Sequence, residues 1–262
     1  MDSTPENFSG VLFNQEIMKN EIIFYLGLLL FGINISSSQV KNGKVSYRVS
    51  MESFYENSLD GGEISPRLKK MHKITADAAK NIQLQLLFNG EESIFQHQKG
   101  LSISDFKELD EFVKYLTSKG TYFTNLAHSE QILQTSYEGR KYNVKSEVQK
   151  QDWALTKEKK QFGKFICNKA VLVKEIAGKN REIIAWYSPE IPVSFGPADY
   201  VGNLPGLILE LQLPIATYTA SKVELNPKKE VKIDWPTNIE TMTEEEYKKE
   251  GDKVKAQLDR GW

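Results

Sequence analysis

The chain has 262 residues, and its 34 Lys and Arg against 35 Asp and Glu leave a formal net charge of -1, which excludes a polybasic nucleic-acid binder. At 40% hydrophobic, 11% aromatic and 26% charged residues, the composition excludes a disordered or collagen-like chain and is sufficient for a sizeable core. One Cys excludes a disulfide framework and a CxxC metal site, since either needs a second thiol.

The first element is the apolar run Ile22 to Ile35, interrupted by Gly27, Gly32 and Asn34. As a helix it covers roughly 21 Å, short of the ~30 Å hydrocarbon core, so a spanning helix is disfavoured. Met18 and Lys19 precede the run and Ser36, Ser37, Ser38 and Gln39 follow it. A positive start, an apolar middle and a small-residue exit read as a signal peptide cleaved after Ser38, with a buried core helix as the alternative. Residues 1–17 carry Asp2, Glu6 and Glu16 without a Lys or Arg, so Met18 rather than Met1 is read as the start. With no Cys at the exit of the run, the product is expected in the periplasm or outside the cell, without lipid anchor or stable membrane span.

From Val45, the residues Val45, Tyr47, Val49 and Met51 alternate with Ser46, Arg48 and Ser50, which predicts a half-buried strand. Leu68, Met71, Ile74 and Ala78 follow a Ser65-Pro66 start at helical spacing. Ile82, Leu84 and Leu86 then alternate towards Asn89-Gly90 and Ser93-Ile94-Phe95, a hairpin. Ser102 and Asp105 resemble a capping box, and Phe106, Leu109, Phe112, Val113 and Leu116 continue a helix to Gly120. Eight strands follow at close spacing, around Tyr122–Leu126, Ile132–Tyr137, Tyr142–Val148, Trp153–Glu158, Phe165–Val173, Glu182–Tyr187, Leu207–Leu213 and Thr217–Leu225. Their turns carry Gly139, Gly163 and Gly178, so neighbours are expected to be antiparallel. Thr243 and Glu246 start a last helix in which Tyr247, Val254 and Leu258 stand among many Lys and Glu, a solvated appendage.

The expected fold is mainly β (α+β): a large curled antiparallel sheet, half-barrel-like, with two covering helices and a C-terminal helix. The expected division is a leader at 1–38, one β-rich domain at 39–242 and a helical tail at 243–262.

Between Ser188 and Leu213 the composition changes, with Pro189, Pro192, Pro197 and Pro205 interleaved with Gly196, Gly202 and Gly206. The successive words are Trp186-Tyr187-Ser188-Pro189-Glu190-Ile191-Pro192, Phe195-Gly196-Pro197, and Gly202-Asn203-Leu204-Pro205-Gly206-Leu207-Ile208-Leu209-Glu210. This combination resembles the GLPGLI family of exported proteins of Gram-negative bacteria, and the similarity extends through Gly163 to Cys167, Lys169-Ala170 and Trp153. The resemblance implies export and a β-rich fold, and supplies no catalytic residues. Asn203 stands where the family has its first glycine, and Asn tolerates positive φ well enough to keep the backbone shape.

Leu204-Pro205-Gly206-Leu207 predicts a type II turn, with Pro fixing φ at the second position and Gly taking positive φ at the third. The candidate binding residues are Trp186, Tyr187, Phe195, Tyr200, Pro205 and Gly206, presented by a proline-stiffened loop at 188–206 at low ordering cost. The plainer alternative is that these aromatics cap one end of the sheet.

No catalytic motif is found, so a non-enzymatic protein is expected, with no cofactor. Cys167 reads as a buried, inert thiol. His72, His97 and His128 show no metal-ligand spacing, so no metal site is predicted. Glu190, Asp199 and Glu210 are ordinary for loop and strand positions, and the run Lys157 to Lys160 reads as a solvated face. The function read first is binding of an apolar ligand, such as a lipid or lipoprotein acyl chain, in the curled sheet; the alternative is docking on an envelope protein partner through the 188–206 loop, and an enzyme using Cys167 or acids near that loop is the distant third.

Overall fold

The structure is a computed structural model and describes residues 40, 42–52, 65–98, 107–137, 140–176, 178–237 and 239–249. The expected leader at 1–38, the Ser102 capping box with Phe106, the Gly139 turn, and Val254 and Leu258 of the last helix lie outside those residues. Val40–Trp262 group as one compact unit.

Alternating side chains build most of the protein. Twelve strands are described: β1 (Asn42–Ser50), β2 (Gln83–Asn89), β3 (Glu92–His97), β4 (Thr121–Asn125), β5 (Glu130–Tyr137), β6 (Arg140–Glu147), β7 (Ala154–Phe162), β8 (Phe165–Ile176), β9 (Lys179–Ser188), β10 (Leu207–Gln212), β11 (Thr217–Leu225) and β12 (Thr241–Thr243). They form one sheet in the order β12-β6-β5-β4-β3-β2-β1-β11-β10-β9-β8-β7. The expected mainly β architecture is thus observed, with one departure: β12 pairs in parallel with β6.

The sheet consists of two meanders sharing a centre. Strands β1 to β6 step outwards; the chain then crosses to the opposite edge, restarts as β7, and steps inwards until β11 pairs with β1. In a flat sheet β6 and β7 would stand roughly 48 Å apart, ten steps of about 4.8 Å. The link from Glu147 to Ala154 reaches at most about 25 Å. The sheet must therefore curl, and the short link holds its edges together.

The registers define an inner face. Val45 faces Leu86, Tyr47 faces Leu84, Leu86 faces Phe95 and Val49 faces Tyr218, and all these side chains are buried. Phe95 meets Tyr47 and Tyr218 edge to face, with ring centroids 6.1 and 6.4 Å apart. On the opposite, outer face, Trp235 packs on Phe123 at 5.9 Å and donates its indole N–H to Glu92 Oε1 at 2.9 Å. Asn89 Nδ2 donates to the Val231 carbonyl at 2.9 Å, so the segment after β11 straps the outer face on its way to β12.

Helix α1 (Pro66–Ala79) begins as the sequence predicts: Pro66 occupies the first turn and Ser65 Oγ accepts from Leu68 N at 3.3 Å. Its buried residues are His72, Thr75, Ala78 and Ala79, whereas Leu68, Met71 and Ile74 are exposed. The periodicity locates the helix but misassigns its contact, because only the later turns seat on the body, through small side chains. Helix α2 (Lys107–Thr117) buries Val113, and its last turn is tied to the inner face by the Tyr218 hydroxyl, which donates to the Thr117 carbonyl at 2.7 Å. A last helical turn at 244–249 opens with the predicted capping box: Thr243 N donates to Glu246 Oε2 at 2.7 Å and Glu246 N to Thr243 Oγ1 at 3.2 Å. Among the described residues no helix is long and apolar enough to cross a membrane.

Candidate functional site

The loop between β9 and β10 contains too many prolines to continue a ladder, so its backbone groups find partners elsewhere. Leu207 N donates to the Ile191 carbonyl and Ile208 N to the Phe195 carbonyl, both at 3.0 Å, and Gly202 N donates to the Ser194 carbonyl at 2.7 Å. The loop thereby doubles back along β10. Ile191, Phe195, Val201 and Leu204 enter the core, and Phe195 stacks on Phe88 of the inner face with centroids 5.8 Å apart. Trp153 meets Tyr200 edge to face at 6.2 Å, and the space among Trp153, Phe195, Tyr200, Leu204 and Ile208 is too narrow to admit a water molecule.

The sequence candidates therefore take three different positions. Tyr187, Phe195 and Tyr200 are buried, Trp186 is half-buried on the outer face opposite Glu210, and Pro205 is exposed. The aromatics cap and fill the sheet; what the loop leaves outside is Pro189, Glu190, Pro192, Gly202 and Pro205.

Two details of the motif differ from expectation. Gly206 does not take positive φ. Its N–H donates to the Leu204 carbonyl at 2.9 Å, closing a tight turn over Pro205, and a Cβ at this position would lie 2.3 Å from the Ser188 carbonyl oxygen. Glycine is required there by the close approach of two backbones. Asn203 does not hold positive φ either, which falls on Gly202 at +78°. Its side chain acts as a clamp: Oδ1 accepts from Gln151 N at 3.0 Å, and Nδ2 donates to the carbonyls of Gln149 at 3.0 Å and Val201 at 2.6 Å.

Gln151, which carried no sequence signal, is the second half of that clamp. Its Nε2 donates to the Asp199 carbonyl at 3.1 Å and its Oε1 accepts from Trp153 Nε1 at 3.1 Å. The link that draws the sheet edges together is thus the one that holds the loop.

Lys160 and Glu210 were also unremarkable in sequence; the run Lys157 to Lys160 is exposed as expected, and Lys160 in addition holds a buried acid. Lys160 Nζ contacts both carboxylate oxygens of Glu210 at 3.1 Å and lies over the rings of Phe162 and Trp186, 4.6 and 5.5 Å from their centroids. The Glu210 side chain is only 7% exposed, and Gln212 Nε2 donates to it at 2.7 Å. An acid inside the apolar run Leu207 to Leu211 was the available signal, since a buried carboxylate needs a cation.

Cys167 is buried, and burial followed by the charges of Glu190 and Glu210 pushes its thiol up to about 12, so it stays protonated and unreactive at neutral pH. His97 Nε2 lies 3.2 Å from Thr117 Oγ1, and burial with the Lys114 charge brings the ring down to about 4. Among the described residues no three His, Cys, Asp or Glu gather as a metal set. Two open clefts border these elements: one of about 330 Å³ by Leu126, Val148, Ser194 and Gly202, and one of about 340 Å³ between α2 and β3 to β6, by His97, Lys114, Gln134 and Thr135.

The family described as "Protein of unknown function (Porph_ging)" matches residues 174–210, the stretch from the end of β8 through β9 and the loop into β10. No curated protein matches the chain. Two structures of PNGF-II are similar in fold: the P21 form with TM-score 0.50, 16% identity and 80% of this chain matched to 33% of that one, and the C2 form with TM-score 0.50, 15% identity and 80% matched to 32%. The chain spans about a third of the length of PNGF-II, and the likeness is one of fold. The chain is thus a sheet-rich protein whose clamped loop lies in the segment that matches a family of unknown function.

Proposed function

We propose that this chain is an exported, non-enzymatic binding protein of the cell envelope that docks on a protein partner through the outer edge of the 188–206 loop. The observation that carries this is the orientation of the loop: Ile191, Phe195 and Leu204 point inwards and Pro189, Pro192 and Pro205 outwards. An apolar ligand on this part of the inner face would have to displace Phe195 from Phe88 and break the packing around Tyr200. Docking needs no such movement. The exposed prolines sit on a backbone already held at both ends, so little conformational freedom is lost on binding. Glu190 among them is fixed by accepting from Ile166 N at 2.8 Å. Export is supported by the Ile22 to Ile35 run and the GLPGLI resemblance, and the non-enzymatic reading by the protonated, enclosed Cys167.

The test is a photo-crosslinking residue at Pro192 or Pro205 in the native host, with buried Tyr200 as the control. One discrete protein adduct at the exposed positions and none at Tyr200 is expected. Native mass spectrometry of the mature protein carrying a dissociable lipid, with no adduct at either proline, would instead establish the carrier.

A further inference from the structure

The first turns of α1 combine two features that a covering helix does not need. Arg67, Lys69, Lys70 and Lys73 surround Leu68, Met71 and Ile74, and within the helix no acid precedes Asp77. Asp77 is held by Lys80 at 3.0 Å, whereas none of the four cations pairs with a carboxylate among the described residues. Leu68, Met71 and Ile74 are 37%, 51% and 43% exposed. An amphipathic helix in a soluble body turns its large apolar residues inwards, and three of them open on the first turns of one helix call for an occupant.

We infer that the exposed face of the first turns of α1 is a docking surface for an anionic lipid bilayer. The helix is too short to span and suits lying in the interface: Leu68, Met71 and Ile74 enter the acyl boundary, and the four cations reach anionic headgroups with their stems along the apolar surface. A second copy of the chain is a poorer occupant. It would oppose like charges, and the three side chains offer on the order of 250 Å², below the roughly 800 Å² per partner of a stable interface. The inference uses elements remote in sequence from the 188–206 loop and does not depend on the docking reading.

Residues 40–262 contain all the described strands and the core, and leave out the apolar run at 22–35, which would bind lipid by itself. This segment is mixed with vesicles of phosphatidylglycerol or of phosphatidylcholine and sedimented. Binding to phosphatidylglycerol alone is expected, with release at about 1 M NaCl, where the screening length falls to about 3 Å. Met71→Asp with Ile74→Asp, and separately Lys69→Gln with Lys73→Gln, should each lower the bound fraction roughly fivefold or more with unchanged thermal unfolding. These positions are exposed, so the variants fold. No sedimentation, equal binding to both vesicles, binding unchanged in both variants, or capture by an acidic polypeptide but not by vesicles would each overturn the inference.

Discussion

The hydroxyl of Tyr47 donates to the carbonyl oxygen of Ile208 at 2.5 Å, joining β1 to β10 past the intervening β11. Ile208 stands where the register between β9 and β10 slips, from Ile208 opposite Tyr187 to Glu210 opposite Trp186. Such a bulge takes backbone groups out of the ladder. Here the Ile208 N–H goes to the Phe195 carbonyl and its C=O to Tyr47, so one residue couples the strand, the loop and the core. Burial raises the Tyr47 pKa and keeps the phenol protonated as a donor.

Tyr47→Phe removes that donor and leaves a buried carbonyl unsatisfied while preserving the ring. A loss of about 1–3 kcal/mol in unfolding free energy is expected. Urea denaturation with an unchanged slope checks it, and hydrogen exchange at the Ile208 amide should quicken as the loop loosens.

Gly206→Ala puts a methyl group 2.3 Å from the Ser188 carbonyl oxygen, so two backbones must separate. Overpacking of this kind costs about 1–3 kcal/mol. Pro205→Ala, which changes an exposed ring, should cost less than about 1 kcal/mol. Thermal unfolding of the two variants side by side measures the contrast; equal losses would mean that turn conformation, rather than the approach to Ser188, is what requires the glycine.

Asn203→Gly introduces the glycine that the GLPGLI resemblance would place here and is nevertheless expected to destabilise. It deletes three side-chain hydrogen bonds, to Gln149, Val201 and Gln151, for about 1–3 kcal/mol in total after partial replacement by water. The specific readout is amide exchange at Gln151, whose N–H loses its acceptor. Protection there should fall while that of Tyr47, in the middle of β1, persists.

Lys160→Met keeps the stem packed on Phe162 and Trp186 and removes the charge, leaving the enclosed Glu210 carboxylate without its cation. A loss of about 2–4 kcal/mol is expected, and adding Glu210→Gln should recover most of it, since the penalty lies in the uncompensated charge. Additive losses in the chemical denaturation of both variants and the double variant would refute this account.

The strands were legible because their signal is local. Val45, Tyr47 and Val49 alternate with polar neighbours, and Thr217–Leu225 is observed with the predicted limits. Ser65-Pro66 and Thr243 with Glu246 are capping chemistry that works within one turn. What alternation cannot encode is which strand returns to pair with which, so the meeting of β11 with β1 and the parallel addition of β12 were invisible. In the loop, the density of Pro and Gly marked the right segment but not the direction of its side chains. Asn203 and Gln151 act on partners some fifty positions away, and Gly206 answers to Ser188 across a gap of eighteen residues; none of these demands leaves a mark on neighbouring residues. Leu68, Met71 and Ile74 mislead for the same reason, since periodicity gives the faces of a helix and not what it is packed against.

His97 supplies the pH dependence. Thr117 Oγ1 donates to the carbonyls of its own helix, at 2.9 Å to Val113 and 3.0 Å to Lys114, so it accepts from His97, whose Nε2 carries the proton in the neutral ring. Burial first, and the Lys114 charge second, disfavour the charged ring and lower its pKa from 6.5 to about 4 in the folded protein. Between these values the unfolded chain binds the proton and the folded protein does not, so stability rises with pH over that window and is lost as pH falls from 6.5 towards 4. His97→Gln keeps a donor to Thr117 and removes the titration. From about pH 7 to about pH 4.5 the parent protein should lose about 1–2 kcal/mol more than the variant, less than the whole shift implies because the ring is partly exposed. Urea denaturation of both proteins at the two pH values measures the difference, and equal losses would place the acid sensitivity in the carboxylates instead.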